Sequence, residues 1–62
     1  MIDALKKEII NISKHKDVFT VRDVFEEVEL DVNIPQVWRA LRLLVQEERI
    51  YRVKHGHYSA AV

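Results

Sequence analysis

Residues 33–45, NIPQVWRALRLLV, decide the fold. Asn33 is a favoured N-cap because its side chain can accept a backbone N–H, and Pro35 is tolerated in a first helical turn. At about 100° per residue, one side of such a helix is apolar, with Trp38 and Ala40 on its flanks. The apolar side consists of Ile34, Val37, Leu41, Leu44 and Val45, and the opposite side of Pro35, Gln36, Arg39, Arg42 and Gln46. This pattern predicts an amphipathic helix over about residues 33–47.

The chain after this helix predicts a β-hairpin. Residues 49–53 are rich in β-branched and aromatic side chains, and residues 58–62 can form the partner strand. Pairing Lys54 with His57 leaves His55-Gly56 as a two-residue loop, with glycine where a positive φ is often required.

The same register predicts which hairpin side chains are buried. It sets Val53 opposite Tyr58 and Tyr51 opposite Ala60. Partners on antiparallel strands share a sheet face, so these apolar side chains are expected to cover the helices.

Two further helices are predicted before residue 33. The first extends from Ile2 to about Lys14, with an apolar stripe of Ile2, Leu5, Ile9 and Ile12. Polar residues 14–17 predict a turn, followed by an extended piece at Val18-Phe19. Thr20 precedes Asp23 by three positions, a relative of the capping box, and begins a short helix with the apolar stripe Val21, Val24, Phe25 and Val28.

Length and composition predict one intracellular domain over residues 1–62. The chain is 48% hydrophobic with one Gly and one Pro, which is typical of a folded globular protein. It has no Cys, so no disulfide framework or cysteine-based zinc site is expected, which fits the reducing cytoplasm. No apolar run approaches the roughly 20 residues that span a bilayer, and Met1 opens into a charged stretch without a signal-peptide core, so no membrane partner is expected.

Charge is distributed unevenly although the formal net charge is zero. Residues 1–31 carry five basic and eight acidic side chains, a balance of −3, whereas residues 32–62 carry five basic and two acidic ones, a balance of +3. A positive surface attracts phosphate, so the second half is the candidate for contact with nucleic acid.

Two segments resemble the winged helix-turn-helix family of small bacterial, archaeal and viral regulators. Leu30–Leu41 looks like the turn and recognition helix, in which a polar cap precedes Val-Tyr-Arg-Ala-Leu, with Trp38 in place of the tyrosine. Leu44–Tyr58 is similar to the stretch that enters the hairpin, or wing, and returns through an aromatic residue. Glu48 stands where the family commonly has glycine, and the wing is short with few basic residues. The resemblance implies an α+β, mostly helical fold: a three-helix winged helix-turn-helix with a C-terminal β-hairpin wing.

The resemblance further implies sequence-specific binding of double-stranded DNA, in transcriptional regulation, through residues 33–47 and the wing at residues 54–57. Arg39 is the first candidate for a base contact because arginine can donate two hydrogen bonds to guanine, at O6 and N7. Gln36 can pair with adenine or a phosphate, and Asn33 at the helix N-terminus suits a phosphate. The full set of predicted DNA-binding residues is Asn33, Gln36, Arg39, Arg42, Arg52, Lys54, His55 and His57.

Other interpretations of these residues stay open. Gln36, Arg39 and Arg42 also fit a solvated helix face. His55 and His57 stand two positions apart, but a metal site needs three or four ligands, so no metal is expected. Trp38 and Tyr58 are interpreted as packing residues, with base stacking as the alternative.

Catalysis is not expected, and neither are a cofactor or a small-molecule substrate. Ser13, Thr20, Ser59 and the three histidines show no spacing typical of a nucleophile with its base. The alternative functions are a winged-helix protein–protein interaction module or a replication-factor accessory domain. A homodimer is also expected, because one small module offers few base contacts; it would form through the first helix or through Leu43 on the exposed side of the third.

Overall fold

A computed structural model describes residues 2–29 and 31–61 of the chain. The elements in chain order are α1 (Ile2–Ser13), β1 (Phe19–Thr20), α2 (Val21–Glu27), α3 (Ile34–Gln46), β2 (Ile50–Lys54) and β3 (His57–Ala60). The strands form an antiparallel sheet in the order β1-β3-β2. The prediction of an α+β, mostly helical fold, with three helices followed by a C-terminal hairpin, is confirmed. Leu30, in the predicted turn, and Val62, the predicted end of the last strand, lie outside the described residues.

The core lies between α1, α3 and the inner face of the sheet. The predicted stripe of α1 is buried at Leu5, Ile9 and Ile12. The largest buried side chains include Phe19, Leu41 and Ile50, and α3 contributes Val37, Ala40, Leu41 and Leu44, all fully buried. Phe19 packs near Tyr58 with ring centroids 6.2 Å apart, which joins the short strand β1 to β3. The spacing of the α3 residues, i, i+3, i+4 and i+7, is that of one helix face.

Two residues predicted in buried stripes are exposed instead. Phe25 is 44% exposed and Ile34 is 41% exposed. Val24 is fully buried and therefore defines the inner side of α2, and Phe25 lies about 100° around the helix from it. Ile34 is the first residue of α3 and precedes the turn that enters the core.

The N-terminus of α2 is closed by a capping box. The Asp23 N–H donates to Thr20 Oγ1 at 3.1 Å, and the Thr20 N–H donates to Asp23 Oδ2 at 3.0 Å. The capping relation predicted from the sequence is thus confirmed. Donation by the Thr20 N–H, helped by the nearby Lys16 ammonium, holds the pKa of Asp23 below its ordinary value of 3.8. The ionised carboxylate therefore stabilises the fold above pH 3.8, and that contribution is lost as the pH falls through the lower folded-state pKa.

The hairpin has the predicted loop but a shifted register. Lys54 pairs with His57, and Gly56 in the loop has a φ of +78°, as expected. Beyond this pair the register shifts between Arg52 and Lys54, which leaves Val53 without a partner. The remaining pairs are Arg52 with Tyr58, Tyr51 with Ser59 and Ile50 with Ala60, so the predicted pairs Val53–Tyr58 and Tyr51–Ala60 are wrong.

This one-residue bulge reverses the faces of β2. A one-residue slip moves every side chain of a strand to the other side of the sheet. Tyr51 and Val53, predicted to cover the helices, are 51% and 49% exposed, whereas Ile50 is buried. Arg52 instead shares the inner face with its partner Tyr58, which is buried.

The turn from α3 into β2 places a non-glycine residue in the left-handed region. The Glu48 N–H donates to the Val45 carbonyl and the Arg49 N–H to the Leu44 carbonyl, both at 3.0 Å. These two bonds are those of a Schellman motif, whose residue after the C-cap usually is glycine. Here that residue is Glu48, with a φ of +60°.

Glu48→Gly is expected to stabilise the protein by about 0.5–1 kcal/mol, because glycine adopts a positive φ without steric cost. The free energy of unfolding measured in urea tests this. Glu48→Ala is the control, since it removes the charge but keeps Cβ, and it should leave stability nearly unchanged. A gain in Glu48→Ala equal to that in Glu48→Gly would assign the effect to charge.

Candidate nucleic-acid interface

Burial of one side of α3 determines which side chains the helix presents to solvent. Because Val37, Ala40, Leu41 and Leu44 face the core, the outward side carries Trp38, Arg39, Arg42 and Gln46. Arg39, Arg42 and Gln46 are the residues that the sequence assigned to this side. Trp38 was interpreted as a packing residue, yet it is 39% exposed.

A groove separates α3 from the hairpin and brings three predicted site residues together. Its walls are Trp38, Arg39, Arg42, Val45, Gln46, Arg52 and Tyr58. Arg39 and Arg42 come from α3, whereas Arg52 comes from β2. Arg52 faces α3 because it pairs with the buried Tyr58, and partners on antiparallel strands point to the same face. The bulge at Val53 thus contributes the third arginine.

The groove carries three positive side chains, Arg39, Arg42 and Arg52. No acidic residue lines it. Within residues 2–29 and 31–61, the ion pairs join Lys6 to Glu47, Lys16 to Asp23 and Glu27, and Arg22 to Glu26. These pairs occupy carboxylates without involving Arg39, Arg42 or Arg52. The three guanidinium groups therefore keep their donors for an external anion, and guanidinium matches phosphate and guanine bidentately.

Trp38 lines the groove although it was not among the predicted DNA-binding residues. Its ring centroid lies 6.4 Å from that of His55 at the hairpin loop, and the two ring planes are 36° apart. The available signal was its position four residues before Arg42, which places it beside the exposed arginines on successive turns. Because an aromatic residue in an amphipathic helix is more often a packing residue, packing was preferred over base stacking for Trp38.

The other wing residues surround the loop rather than the groove. Lys54 and His55 are exposed, and none of Lys54, His55 and His57 lines the groove. His57 Nδ1 lies 3.0 Å from the His55 carbonyl oxygen. A carbonyl only accepts, so the tautomer with the proton on Nδ1 is the one that can donate across the loop.

Asn33 and Gln36, both predicted site residues, form the capping box of α3. The Gln36 N–H donates to Asn33 Oδ1 at 3.0 Å, and the Asn33 N–H donates to Gln36 Oε1 at 2.8 Å. Each side-chain NH₂ group stays available, but a bidentate contact from Gln36 to adenine also needs its oxygen and would open the capping box. Pro35 has no N–H and the Gln36 N–H is engaged, so few backbone donors of this first turn are left for phosphate.

No group of three or more His, Cys, Asp or Glu side chains is placed to hold a metal ion among the described residues. Over the same residues, no helix combines the length and apolarity needed to cross a bilayer.

Asn33→Ala is expected to lower the free energy of unfolding by about 1 kcal/mol, because the bond from the Gln36 N–H to Asn33 Oδ1 is lost. Asn33→Asp, which can still accept the Gln36 N–H, should retain most of the stability. Chemical denaturation of the two variants beside the parent tests this. Equal stability of Asn33→Ala and the parent would contradict the capping role.

Comparison with solved structures identifies a similar fold. The solution structure of a DNA binding protein from Sulfolobus islandicus superposes with a TM-score of 0.78 at 21% sequence identity, over 94% of this chain and 93% of that one. No protein-family model matches the chain, and no curated protein matches it. At this identity the likeness concerns the fold: three helices and a C-terminal hairpin, as in a winged helix.

Proposed function

We propose that this protein binds double-stranded DNA sequence-specifically, with α3 in the major groove and the hairpin as a wing. The observation that carries the proposal is the groove between them, where Arg39, Arg42 and Arg52 meet with no acidic residue in the lining. A protein of the same fold is described as DNA binding. A local cluster of guanidinium groups can displace counterions from phosphate even when the whole chain has zero net charge.

The three arginines have different proposed roles. Arg39 is exposed near the middle of α3, and we assign it the base contact, bidentate to guanine O6 and N7. Arg42 and Arg52 lie on facing walls of the groove and are assigned to phosphates, which fix the orientation of the protein on the duplex. Lys54, His55 and His57 at the wing contact the adjacent backbone or minor groove, and Asn33 and Gln36 donate through their free NH₂ groups.

The proposed biological role is transcriptional regulation. A protein that occupies a specific site on a duplex can exclude other proteins from it, and this requires no catalytic group. Such a role belongs in the compartment that contains the DNA, which in a bacterium or archaeon is the cytoplasm.

Arg39→Ala is expected to weaken binding to a selected duplex by about 1–3 kcal/mol and to relax the preference at one base pair. Arg42→Ala and Arg52→Ala should weaken binding to all sequences and reduce the slope of log K against log salt by about one. Arg49→Ala is the matched control: Arg49 is exposed and just precedes β2 but does not line the groove. Fluorescence anisotropy from low to physiological salt measures these effects. If Arg49→Ala and Arg39→Ala reduce affinity equally, net charge rather than α3 governs binding.

Binding as a homodimer, or in pairs on repeated sites, is part of the proposal. A single small module buries on the order of 600–1,000 Å² on DNA, so two linked contacts are needed for useful affinity at physiological salt. Leu43, expected to be exposed, is half-buried in a groove beside Ile2 and Leu5. Phe25 and Ile34 are more exposed than Leu43 and lie together in a groove between α2 and α3.

Affinity is therefore expected to depend on the spacing of two half-sites. Changing the spacing by about five base pairs places the second half-site on the opposite side of the duplex and should weaken binding. Sedimentation with and without DNA gives the stoichiometry. A one-to-one complex indifferent to spacing would exclude pairing and leave monomeric binding intact.

A protein-interaction module is the second candidate function. It is favoured by the exposed pair Phe25 and Ile34, which with Val21 form a mainly apolar groove bordered by Arg22 and Glu26. This groove and the arginine groove consist of different residues. Absence of any binding to DNA at low salt would favour the interaction module.

A further inference from the structure

Tyr58 combines a buried ring with a hydroxyl group that reaches solvent. The residue is only 5% exposed, and its ring centroid lies 6.2 Å from that of Phe19 in the core. Among the residues that the structure describes, no side-chain hydrogen bond involves the Tyr58 hydroxyl, yet no buried side-chain N or O atom lacks a partner. Both findings hold together only if this hydroxyl is not itself buried. It therefore belongs to the small exposed part of Tyr58.

That exposed part opens into the arginine groove, which is the groove lined by Arg39, Arg42 and Arg52. Tyr58 is one of its lining residues, and no acidic side chain lines it. Tyr58 pairs with Arg52 across the hairpin. Side chains of such a pair point to the same face, with Cβ atoms about 4.5–5.5 Å apart. The hydroxyl thus shares the groove with a neighbouring guanidinium group.

The hydroxyl differs from the guanidinium groups in being rigid and neutral. The buried ring holds it in one position, whereas an exposed arginine side chain loses rotamer freedom when it binds. A tyrosine hydroxyl can donate one hydrogen bond, and a phosphate oxygen can only accept. The hydroxyl therefore offers a preorganised hydrogen bond to an anion without adding charge.

The location of the groove favours the DNA backbone over the bases. With α3 in the major groove and the hairpin as a wing on the adjacent minor groove, the sugar-phosphate strand that separates the two grooves crosses between α3 and the hairpin. The arginine groove lies at that place, and Tyr58 lines it from β3. Base edges, in contrast, are approached by the crest of α3.

We propose that the Tyr58 hydroxyl donates a hydrogen bond to one phosphate oxygen of the bound duplex, beside Arg52. Because the ring is fixed in the core, this contact sets how deeply that phosphate enters the groove and so helps to fix the register of α3 on the bases. The inference rests on the proposed DNA binding by the arginine groove. It gives Tyr58 a role in binding in addition to its role in packing.

The test removes the hydroxyl and keeps the ring. Tyr58→Phe does this, and Tyr51→Phe is the matched control, because Tyr51 is the other tyrosine of the chain, is 51% exposed and does not line the groove. Fluorescence anisotropy measures binding to a duplex obtained by binding-site selection and to an unrelated duplex, each over a series of salt concentrations. A second set of selected duplexes carries a neutral methylphosphonate in place of one phosphate at a time. Urea unfolding of each variant monitors the fold.

Tyr58→Phe is expected to weaken binding to both duplexes by about tenfold, the scale of a hydrogen bond to a charged group. The slope of log K against log salt should stay that of the parent, because a neutral hydroxyl displaces no counterion. At one methylphosphonate position the parent should lose its advantage over Tyr58→Phe. Tyr51→Phe should bind like the parent, and all three proteins should unfold at the same urea concentration.

Equal affinity of Tyr58→Phe and the parent would overturn the inference and leave duplex binding by the arginines intact. A loss confined to the selected duplex would indicate a base contact, and an advantage kept at every methylphosphonate position would exclude a phosphate contact. Either result overturns the inference, as does a lower unfolding midpoint of Tyr58→Phe, which would assign the hydroxyl to a bond within the protein. Failure of the parent to bind either duplex at low salt would instead overturn the proposed function, and the inference with it.

Discussion

The rotation of α3 about its own axis is the constraint on which the rest of the structure depends. Each of its large buried side chains, Val37, Leu41 and Leu44, contributes on the order of 1.5–3 kcal/mol when removed from water. Turning the helix by one residue would expose part of this set and bring polar side chains such as Arg39 toward the core, where an unpaired charge is far more costly. No single surface contact has that magnitude, so core packing determines that the arginines and Trp38 face outward.

The sheet completes the groove through a departure from regular pairing. With a regular hairpin, Val53 would be opposite Tyr58 and Arg52 would lie on the outer face. The bulge at Val53 moves Arg52 to the inner side, next to α3, and leaves Tyr51 and Val53 in solvent. Exposure of two apolar side chains is unfavourable for a domain of this size. The same departure assembles the arginine cluster, and bulges are common next to functional sites for this reason.

The sequence predicts the helices, both N-caps, the hairpin loop and the outward position of Arg39 and Arg42, because these depend on local periodicity and cap chemistry. It does not predict the bulge, because alternation fits both registers and the choice depends on how Ile50 and Tyr58 pack against α3. Nor does it predict the exposure of Phe25, since the three apolar residues Val21, Val24 and Phe25 in a helix of seven leave more than one possible inner face. The proximity of Trp38 to His55 depends on the distance between two separate elements, which periodicity does not contain.

Zero net charge and a positive groove are compatible because the acidic residues are spatially segregated. Carboxylates of Asp23 and Glu27 pair with Lys16, Glu26 pairs with Arg22, and Glu47 pairs with Lys6. The screening length at physiological salt is about 8 Å, so a ligand in the groove responds chiefly to charges that line it. Arg39, Arg42 and Arg52 are those charges. The net charge of the chain sums the charges of two surfaces that a bound DNA would not contact together. The distribution of charge, rather than its sum, therefore bears on function.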